Sequence, residues 1–320
     1  MSDADVIDAD VAADDTISFS RIGYERRRPT WDDADMEDVS GRTVVVSGGT
    51  AGVGLGASTS LAALGAHVVM LGRSADRGEA AVKEVVAATG NQRVEWVRLD
   101  LSSLESVRAT AAELLERLPR IHVLINNAGG MWDEWETSVD GIEMSWATNV
   151  VGPYLLTELL LDRLAESAPA RIVEMTSGGA YSQRLTLGEL RGEADAFDPK
   201  ATYSRTKRAQ IVLTELRAAE LADRGIVAHV THPGWTDSPG LRESGAMQGF
   251  IRRFESDFRT PEQGADTAVW LSSAREPGTT SGLFWHDRRP RETHRTDATR
   301  ETEQDRRDLV ALLRRLTGLL

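Results

Sequence analysis

A tyrosine and a lysine in the second half of the chain have the spacing of a proton-transfer pair. Tyr203 and Lys207 are four residues apart, so on a helix they share one face. A nearby ammonium stabilises a phenolate and lowers the pKa of the phenol, as a general acid/base requires. Only three of the 37 basic residues are lysines. A lysine at position 207 therefore suggests that this position requires a compact ammonium with an adjustable pKa instead of a guanidinium. The alternative is a solvated lysine beside a half-buried tyrosine.

A glycine cluster after a β-branched run indicates a phosphate-binding turn. Three glycines follow a strand-like run over residues 44–47 and lead into a helical pattern. Glycine lets the backbone turn sharply and approach a bulky anion, and the first N–H groups of the helix carry partial positive charge. Glycines at such a turn also serve close packing, so the motif alone leaves nucleotide binding open. The candidate ligand contacts are Ser47, Gly48, Thr50, Gly52, Val53 and Gly54.

The ends of the other predicted strands carry residues that would meet at one edge of a parallel sheet. The second strand ends at Gly72 and Arg73, with no Asp or Glu to bind the ribose hydroxyls of a nucleotide. A guanidinium there suits a 2′-phosphate, which favours NADP(H) over NAD(H). Each later strand end is by itself ordinary turn chemistry, but together they indicate a binding edge. They are Asp100 and Leu101, then Asn127, Ala128 and Gly129, then Ser177, and finally Pro233 and Gly234.

The hydrophobic pattern indicates which elements position these residues. Short apolar runs alternate with helical patterns, and this β-α-β order predicts a parallel sheet covered by helices on both faces and wound right-handed. The predicted fold class is α/β: a Rossmann-type, doubly wound, mainly parallel seven-stranded sheet in a three-layer α/β/α single domain. The strands are expected at residues 44–47, 67–71, 94–99, 121–125, 171–176, 226–231 and 283–285.

Composition argues against several classes of protein. The 320 residues include no cysteine, which excludes a disulfide framework and a zinc–thiolate site. The six histidines are scattered along the chain, so we expect no metal site. The net charge of −13 argues against nucleic acid as a partner. No run approaches the roughly 18 apolar residues of a membrane span, and the N-terminus begins acidic. We therefore expect a soluble, cytoplasmic, acidic protein.

Taken in order, these motifs make the chain resemble the short-chain dehydrogenase/reductase family from about Arg42 to Trp285. Phrases near residues 23–24, 232–240 and 285–290 resemble the branch of that family containing animal dehydrogenase/reductase family member twelve. The matching motif positions are Ser47, Gly48, Gly52, Gly54, Asp100, Asn127, Ala128, Gly129, Asn149, Ser177, Tyr203, Lys207, Pro233 and Gly234.

The resemblance implies a role for each catalytic candidate. Tyr203 would exchange a proton with the substrate oxygen, Ser177 would hydrogen-bond that oxygen, and Lys207 would hold the nicotinamide ribose. Asn149 would anchor a proton-relay water, and Ser238 would contact the cofactor. Tyr203 and Lys207 thus also count as cofactor-binding residues. A hydride would pass directly between the nicotinamide and the substrate carbon.

We expect the chain to divide into three segments. Residues 1–40 hold twelve acidic and four basic residues, and they are predicted to be an acidic tail and leader, partly disordered, with residues 1–16 as the disordered tail. Residues 41–286 are predicted to form the NAD(P)-binding domain. Residues 287–320 are predicted to be a charged, solvated connector and an amphipathic helix, whose leucine stripe docks on its own domain or on a partner.

The sequence therefore predicts an NADP(H)-dependent oxidoreductase that acts on a small carbonyl or secondary alcohol, with an apolar substrate and no nucleic-acid partner. A homo-oligomer, either dimer or tetramer, is left open. The alternative function is a non-catalytic NADP-binding redox sensor or scaffold on the same fold. The sequence does not identify the substrate, because the bulky residues near the predicted rim either line an apolar pocket or cap the core. These are Met131, Trp132, Trp135, Trp235 and Phe250.

Overall fold

One central sheet positions the strand ends discussed above. The computed structural model describes residues 2–193 and 197–319. The strands are β1 (Thr43–Ser47), β2 (His67–Gly72), β3 (Val94–Arg98), β4 (Val123–Asn126), β5 (Ala170–Met175), β6 (Ile226–Thr231), β7 (Phe284–His286) and β8 (Arg289–Arg291). They lie in the order β3-β2-β1-β4-β5-β6-β7-β8, and every pair is parallel except β7 with β8.

The strand order reverses between β1 and β4, so the carboxyl ends of these two strands border a crevice. Such a switch point is where open α/β sheets bind ligands. Every residue of β4 and β5 is buried, as expected for parallel strands covered on both faces. The predicted parallel α/β architecture is confirmed.

Helices cover both faces of the sheet. They are α1 (Asp3–Ala12), α2 (Asp15–Phe19), α3 (Arg21–Arg27), α4 (Gly52–Ala63), α5 (Ala75–Thr89), α6 (Leu104–Arg117), α7 (Met144–Trp146), α8 (Gly152–Glu166), α9 (Pro199–Glu220), α10 (Pro239–Glu243), α11 (Gln248–Phe254), α12 (Pro261–Ser273) and α13 (Glu303–Thr317). Helices α4, α5 and α12 pack on one face. Helices α6 and α8 pack on the other, where α9 contacts β5 and β6.

The sheet has eight strands where the sequence predicts seven. The extra strand, β8, pairs antiparallel with β7 through a turn at Asp287 and Arg288, whose φ angles are 53° and 55°. This left-handed conformation is rare for residues other than glycine. Buried ion pairs hold both side chains, Asp287 with Arg259 and Arg288 with Asp266. Contacts with residues distant in the sequence stabilise this turn. The turn residues themselves are not those typical of a hairpin, so the sequence alone does not predict β8.

The N-terminal leader also differs from the prediction of a disordered tail over residues 1–16. Ser2 and Asp5 form a capping box at the start of α1, and Val11 is fully buried. Asp8 pairs with Arg27, 2.7 Å away, and with Arg291 of β8. Composition predicts solvated acids here, but the carboxylate of Asp8 binds arginines that lie far along the chain. Met1, the first residue of the predicted tail, lies outside the described residues.

The charged segment after β7 is held against the body of the protein. Arg306 forms ion pairs with Glu215 of α9 and with Glu301. The apolar stripe of α13 is buried within the chain against α9 and the turn that precedes α8, through Leu309, Leu312 and Leu313. Leu320, at the end of the predicted C-terminal segment, lies outside the described residues.

The segment between β6 and α12 contains two short helices, α10 and α11, where the sequence shows no clear period. Ser238 caps α10 by accepting a hydrogen bond from Leu241 N at 3.3 Å. The Asp133 carboxylate accepts bonds from the N–H groups of Gly245 and Ala246 at 2.7 and 2.9 Å. This segment is therefore fastened to the loop after β4. Over residues 2–193 and 197–319, no helix is both long enough and apolar enough to cross a bilayer.

Candidate active site

Helix α9 brings the predicted proton-transfer pair to the carboxyl ends of β4 and β5. Its N-cap is Asp198, which accepts hydrogen bonds from the N–H groups of the first turn, and Pro199 suits the first helical position. Lys207 is 3 % exposed, and its Nζ lies 5.5 Å from the centroid of the Tyr203 ring. The same Nζ donates a hydrogen bond to Met175 O at 2.9 Å. The i,i+4 spacing therefore places the two groups on one face, as predicted.

Ser177 follows β5 and meets Tyr203 from the sheet side. Its side chain lies near enough to the Tyr203 phenol to oppose the rise in the pKa of that phenol. Its Oγ also accepts a hydrogen bond from Gly179 N at 3.2 Å, because Ser177 caps a short 3₁₀ turn at Gly178–Ser182. The hydroxyl orientation is thus set by the local backbone. A substrate oxygen placed between Ser177 and Tyr203 would meet two hydrogen-bonding hydroxyls.

The electrostatics of the pair differ from the prediction that Lys207 lowers the pKa of Tyr203. Burial raises the pKa of the Tyr203 phenol, and the neighbouring Ser177 hydroxyl opposes this shift. Burial also lowers the pKa of Lys207 to about 8, against the opposing charge of Glu174. For both groups the effect of burial on the pKa is larger than any effect of the neighbouring side chain, because burial disfavours the charged form of each. The ammonium of Lys207 is therefore the group that titrates close to neutral pH.

Asn149 lies in a single π-helical turn, Ala147–Val151, just before α8. Such turns often occur at functional sites because they redirect one side chain. The Asn149 amide bonds the backbone of Gly130 in both directions, at 2.8 and 2.9 Å, and donates to Thr206 Oγ1 at 3.0 Å. The amide thereby ties the loop after β4 to α9.

A small cavity lies beside Asn149. Its volume is about 10 Å³, roughly the space that one water molecule needs. Its lining includes Glu174, Gln210 and Arg217, so it has several polar partners to offer. The backbone carbonyl of Asn149 accepts a hydrogen bond from Gln210 Nε2 at 2.9 Å. The predicted water anchor therefore lies beside a cavity large enough for one water molecule.

The glycine turn has the geometry of an anion site. Gly48 and Gly52 have φ angles of +66° and +51°, which favour glycine. A methyl group built on Gly54 would lie 2.1 Å from Gly48 O. The N-cap of α4 is Ala51, whose methyl group cannot accept hydrogen bonds from the first N–H groups. These groups are therefore available to a phosphate.

The remaining turn residues support the same crevice. Ser47 is buried below the turn, and its Oγ accepts hydrogen bonds from Asn127 N at 3.0 Å and Ala128 N at 3.1 Å. The side chain of Ser47 therefore joins β1 to the loop after β4. Val53 follows Gly52 on α4 and is partly buried against the core.

Gly129 lies where the turn residues and the catalytic candidates meet. A methyl group built on it would lie 2.8 Å from Asn149 Oδ1 and 3.3 Å from Lys207 Nζ. Any larger residue would displace one of these side chains, so the close approach requires glycine. On the far side, Gly52 and Ser238 border an open cleft of about 410 Å³. Gly129 therefore lets the loop after β4 pack against Asn149 and Lys207, while the glycine turn borders the open cleft.

The tip of β2 offers two cationic side chains. Arg73 is exposed, as is Arg98, which lies opposite Gly72 in the register of β2 with β3. The side chain of Thr50 lies against Gly72 on the turn side. Sequence reasoning identified Arg73 but missed Arg98, since only the strand register shows that Arg98 and Gly72 are neighbours. The two arginines and the uncapped α4 N-terminus fit a dinucleotide that carries several phosphates.

Three other predicted cofactor contacts have structural partners. Asp100 Oδ1 accepts hydrogen bonds from Ser102 N at 3.0 Å and Ser102 Oγ at 2.6 Å. Leu101 is buried, and its carbonyl packs so closely on Gly152 that a methyl group there would lie 2.3 Å away. Gly234, with φ +73°, packs against Arg259 and the leader. These contacts fix the backbone around the crevice.

A buried carboxylate behind Lys207 was not identified from the sequence. Glu174 occupies β5 and is buried, and its Oε1 accepts a hydrogen bond from Asn126 Nδ2 at 2.6 Å. Arg217 lies 3.8 Å from the same oxygen. Burial raises the pKa of Glu174, and the charges of Arg217 and Lys207 oppose the shift. The available signal was an acid between the apolar residues Val173 and Met175 of a predicted buried strand.

Aromatic side chains crowd the segment after β6. The Trp235 ring lies 5.1 Å from Phe250 and 4.7 Å from Phe254, measured between centroids. Met131 contacts the same segment through Ser244. On the other side, Trp135 lies 5.7 Å from Phe197. Within the described ranges, no group of three or more His, Asp or Glu side chains could hold a metal ion.

Comparison with known proteins adds a family to this geometry. A model of the short chain dehydrogenase family matches residues 42–249. The chain is 37% identical over 280 residues to dehydrogenase/reductase SDR family member 12 of Bos taurus, covering 86% of each chain. It is 38% identical over 229 residues to retinol dehydrogenase 11 of Homo sapiens, covering 72% of each.

A solved structure supports the same conclusion about the fold. An uncharacterised protein from Mycobacterium paratuberculosis is 29% identical, with a TM-score of 0.71, and the match covers 90% of this chain and 97% of that one. The predicted resemblance, including that to the branch with family member twelve, is confirmed.

Proposed function

The chain belongs to the short-chain dehydrogenase/reductase family, whose members are oxidoreductases acting on CH–OH and C=O groups, and we propose that it is an NADP(H)-dependent member with Tyr203 as general acid/base. The observation that carries this proposal is the convergence of three side chains at one strand end. The Ser177 side chain lies close to the Tyr203 phenol, and Lys207 Nζ lies 5.5 Å from the centroid of the ring of that tyrosine. All three residues lie at the carboxyl end of β5, where Lys207 also bonds Met175 O.

In the proposed mechanism the residues of this chain hold the substrate and move one proton. Bound in the crevice, the nicotinamide cofactor supplies or accepts the hydride at the substrate carbon. Ser177 hydrogen-bonds the substrate oxygen and sets its distance from Tyr203. During carbonyl reduction Tyr203 Oη gives its proton to that oxygen, and during alcohol oxidation it takes the proton back. The protonated ammonium of Lys207, whose pKa burial lowers to about 8, would hold the nicotinamide ribose.

The preference for NADP(H) rests on the tip of β2. Arg73 and Arg98 are exposed beside Gly72, so both can pair with a 2′-phosphate, whereas the tip lacks the acid that would bind the ribose hydroxyls of NAD(H). A charge-assisted contact of this kind is worth about 1.5–3 kcal/mol. We therefore expect NADPH to bind at least about tenfold more tightly than NADH.

We propose an apolar carbonyl or alcohol as the substrate. Trp235, Phe250 and Phe254 form a cluster of aromatic rings beside the loop that follows Gly234. Apolar pockets with a few convergent polar groups are typical of small-molecule sites. The relative named retinol dehydrogenase 11 acts, by its name, on an apolar alcohol, which supports the same class here.

The proposal is tested by measuring NADPH oxidation at its absorbance band with a panel of aldehydes and ketones of increasing apolar size. We expect turnover with at least one apolar substrate and much weaker turnover with NADH. NADPH binding with no turnover across the panel, in either direction, would instead favour the redox sensor or scaffold.

Cytoplasmic location and a homo-oligomeric state remain predictions. Cell fractionation checks the first, and light scattering of the purified chain checks the second.

A further inference from the structure

We propose that residues 18–20 of the N-terminal leader are a positioning part of the active site, with Phe19 holding the loop that carries Ser177 against the loop that follows Gly234. This inference rests on the proposed function for its effect on turnover. The leader precedes residues 42–249, the region that the family model matches. The inference gives this segment a role in positioning the loops beside Tyr203.

The backbone of this segment is hydrogen-bonded to the catalytic body. Phe19 O accepts a bond from Trp235 N at 2.6 Å. Arg259, a fully buried arginine, donates to Ser20 O at 3.1 Å and to Ser18 O at 2.9 Å. These bonds join the carbonyl groups of residues 18–20 to the loop after β6 and to Arg259. The leader therefore replaces solvent along the edge of the loop after β6.

The side chain of Phe19 touches the loop that carries the catalytic serine. A methyl group built on Gly178, the residue after Ser177, would lie 3.0 Å from the Phe19 ring. The ring also lies edge-on to His232, with centroids 4.6 Å apart, and to Trp235 at 6.4 Å. One side chain of the leader thus bridges the loops that follow β5 and β6.

Gly234 shows how closely the two parts fit. Its φ is +73°, and a methyl group there would lie 2.6 Å from Phe19 O and 2.5 Å from Arg259 Nε. The glycine is thus required by the leader as well as by the local backbone conformation. The position after Pro233 is where the family resemblance places a cofactor contact.

A buried ionic cluster holds the leader in this position. Asp287 accepts hydrogen bonds from Arg259 Nη1 at 2.6 Å and from Arg27 Nη1 at 2.9 Å. Arg27 belongs to α3 of the leader, and it also donates to Ser18 Oγ at 3.2 Å. The leader is therefore joined to the β7–β8 turn by charge as well as by packing. Together the contacts restrict where Ser177 and Trp235 can lie relative to Tyr203.

The test compares Phe19→Ala with Val11→Ala in the full-length protein. Val11 is a matched control because it is also a fully buried apolar residue of the leader, and its helix α1 contacts α2 and α3 of the leader. Hydrogen–deuterium exchange is measured over residues 177–182 and 233–237, together with Tm, NADPH affinity and kcat/KM. Phe19→Leu is the conservative variant that restores most of the apolar contact.

We expect Phe19→Ala to speed exchange in both loops and to lower kcat/KM by about tenfold or more, because small displacements at a reacting centre reduce rates strongly. NADPH affinity should stay within about twofold, and Phe19→Leu should recover most of the loss. Val11→Ala should lower Tm while leaving exchange in the two loops unchanged.

Equal loop exchange in Phe19→Ala and Val11→Ala would overturn the inference, as would unchanged exchange in both. If the parent protein reduced no carbonyl in the panel, the proposed function would fail, yet the exchange measurement would still decide the position of the leader. The two failures are therefore distinguishable.

Discussion

Glu174 Oε1 accepts a hydrogen bond from Asn126 Nδ2 at 2.6 Å. The two residues lie near the carboxyl ends of β4 and β5, and the charge of Glu174 acts on the ammonium of Lys207. The negative charge of Glu174 opposes the fall in the pKa of Lys207 that burial causes. A buried charge of this kind acts strongly because little solvent screens it.

Glu174→Gln should therefore lower the pKa of Lys207 below about 8. Since the proposed mechanism needs the protonated ammonium, the alkaline limb of the pH–rate profile should move to lower pH, by on the order of half a unit or more. Glu158→Gln is the control, because Glu158 pairs with Arg217 at 2.8 Å on the outer side. An alkaline limb that stays in place would show that Glu174 is uncharged in the active protein.

Tyr203→Phe removes the transferable proton and keeps the ring. We expect kcat to fall by roughly a hundredfold or more, with little change in NADPH affinity. Tyr181→Phe is the control: Tyr181 lies in the same loop as Ser177, but its hydroxyl donates to Glu292 O at 3.0 Å. Turnover within about threefold of the parent in Tyr203→Phe would remove Tyr203 from the mechanism.

Lys207→Arg keeps a positive charge but replaces a compact ammonium with a planar fork. Lys207 is 3 % exposed and donates to Met175 O, so the larger group cannot enter without displacing Gly129 or Asn149. We expect a large loss of kcat/KM. Lys83→Arg, at an exposed position on α5, should leave kinetics unchanged. Parental kcat/KM in Lys207→Arg would mean that only the charge matters.

Arg73→Ala and Arg98→Ala test cofactor choice. The double variant should lower the ratio of NADPH to NADH affinity by about tenfold to a hundredfold, through weaker NADPH binding. The reason is that Arg73 follows Gly72 directly and Arg98 lies opposite Gly72 in the strand register. Titration of both cofactors at one ionic strength measures the ratio. Arg300→Ala, an exposed arginine in the connector, is the control. Tighter NADH binding by the parent protein would contradict the proposal outright.

Asp287→Asn tests the buried cluster at the β7–β8 turn. Arg259 and Arg27 hold the pKa of Asp287 far below its ordinary value. Ionised Asp287 therefore stabilises the fold above the unfolded-state pKa of about 4, and this contribution is lost as the pH falls below that value. Asparagine still tolerates the left-handed turn. We expect the variant to lose about 3–5 kcal/mol at neutral pH, and its Tm to fall less steeply in acid than that of the parent.

The control for that variant is Asp297→Asn, whose side chain is 95% exposed. It should leave both Tm and its acid dependence unchanged. Equal Tm values for Asp287→Asn and the parent at pH 7 would mean that the cluster adds no net stability.

The parallel sheet and the catalytic candidates were predictable because their signals are local. The β-branched run of β1, the glycine turn, and the spacing of Tyr203 and Lys207 each lie within a few residues. Period and spacing are sufficient for such features. The same holds for the family resemblance, which combines short motifs in order.

The leader, the eighth strand and the raised pKa of Tyr203 depend on contacts between distant residues. Asp8 is an ordinary surface acid until Arg27 and Arg291 surround it. The left-handed turn at Asp287 needs Arg259, which lies 28 positions earlier. Burial raises the pKa of Tyr203 despite the nearby Lys207. Burial is a property of the packed structure and cannot be inferred from the spacing of the two residues. Composition cannot reveal any of these pairings.

The contact between Arg27 and Asp287 spans 260 positions, which has a consequence for the order of events during synthesis. The leader leaves the ribosome early, but its binding surface is complete only after the last hairpin has emerged. Until then, the apolar ring of Phe19 has nothing to pack against. The nascent chain must therefore hold its first segment unattached through most of translation, and the two loops beside Tyr203 acquire their final arrangement last.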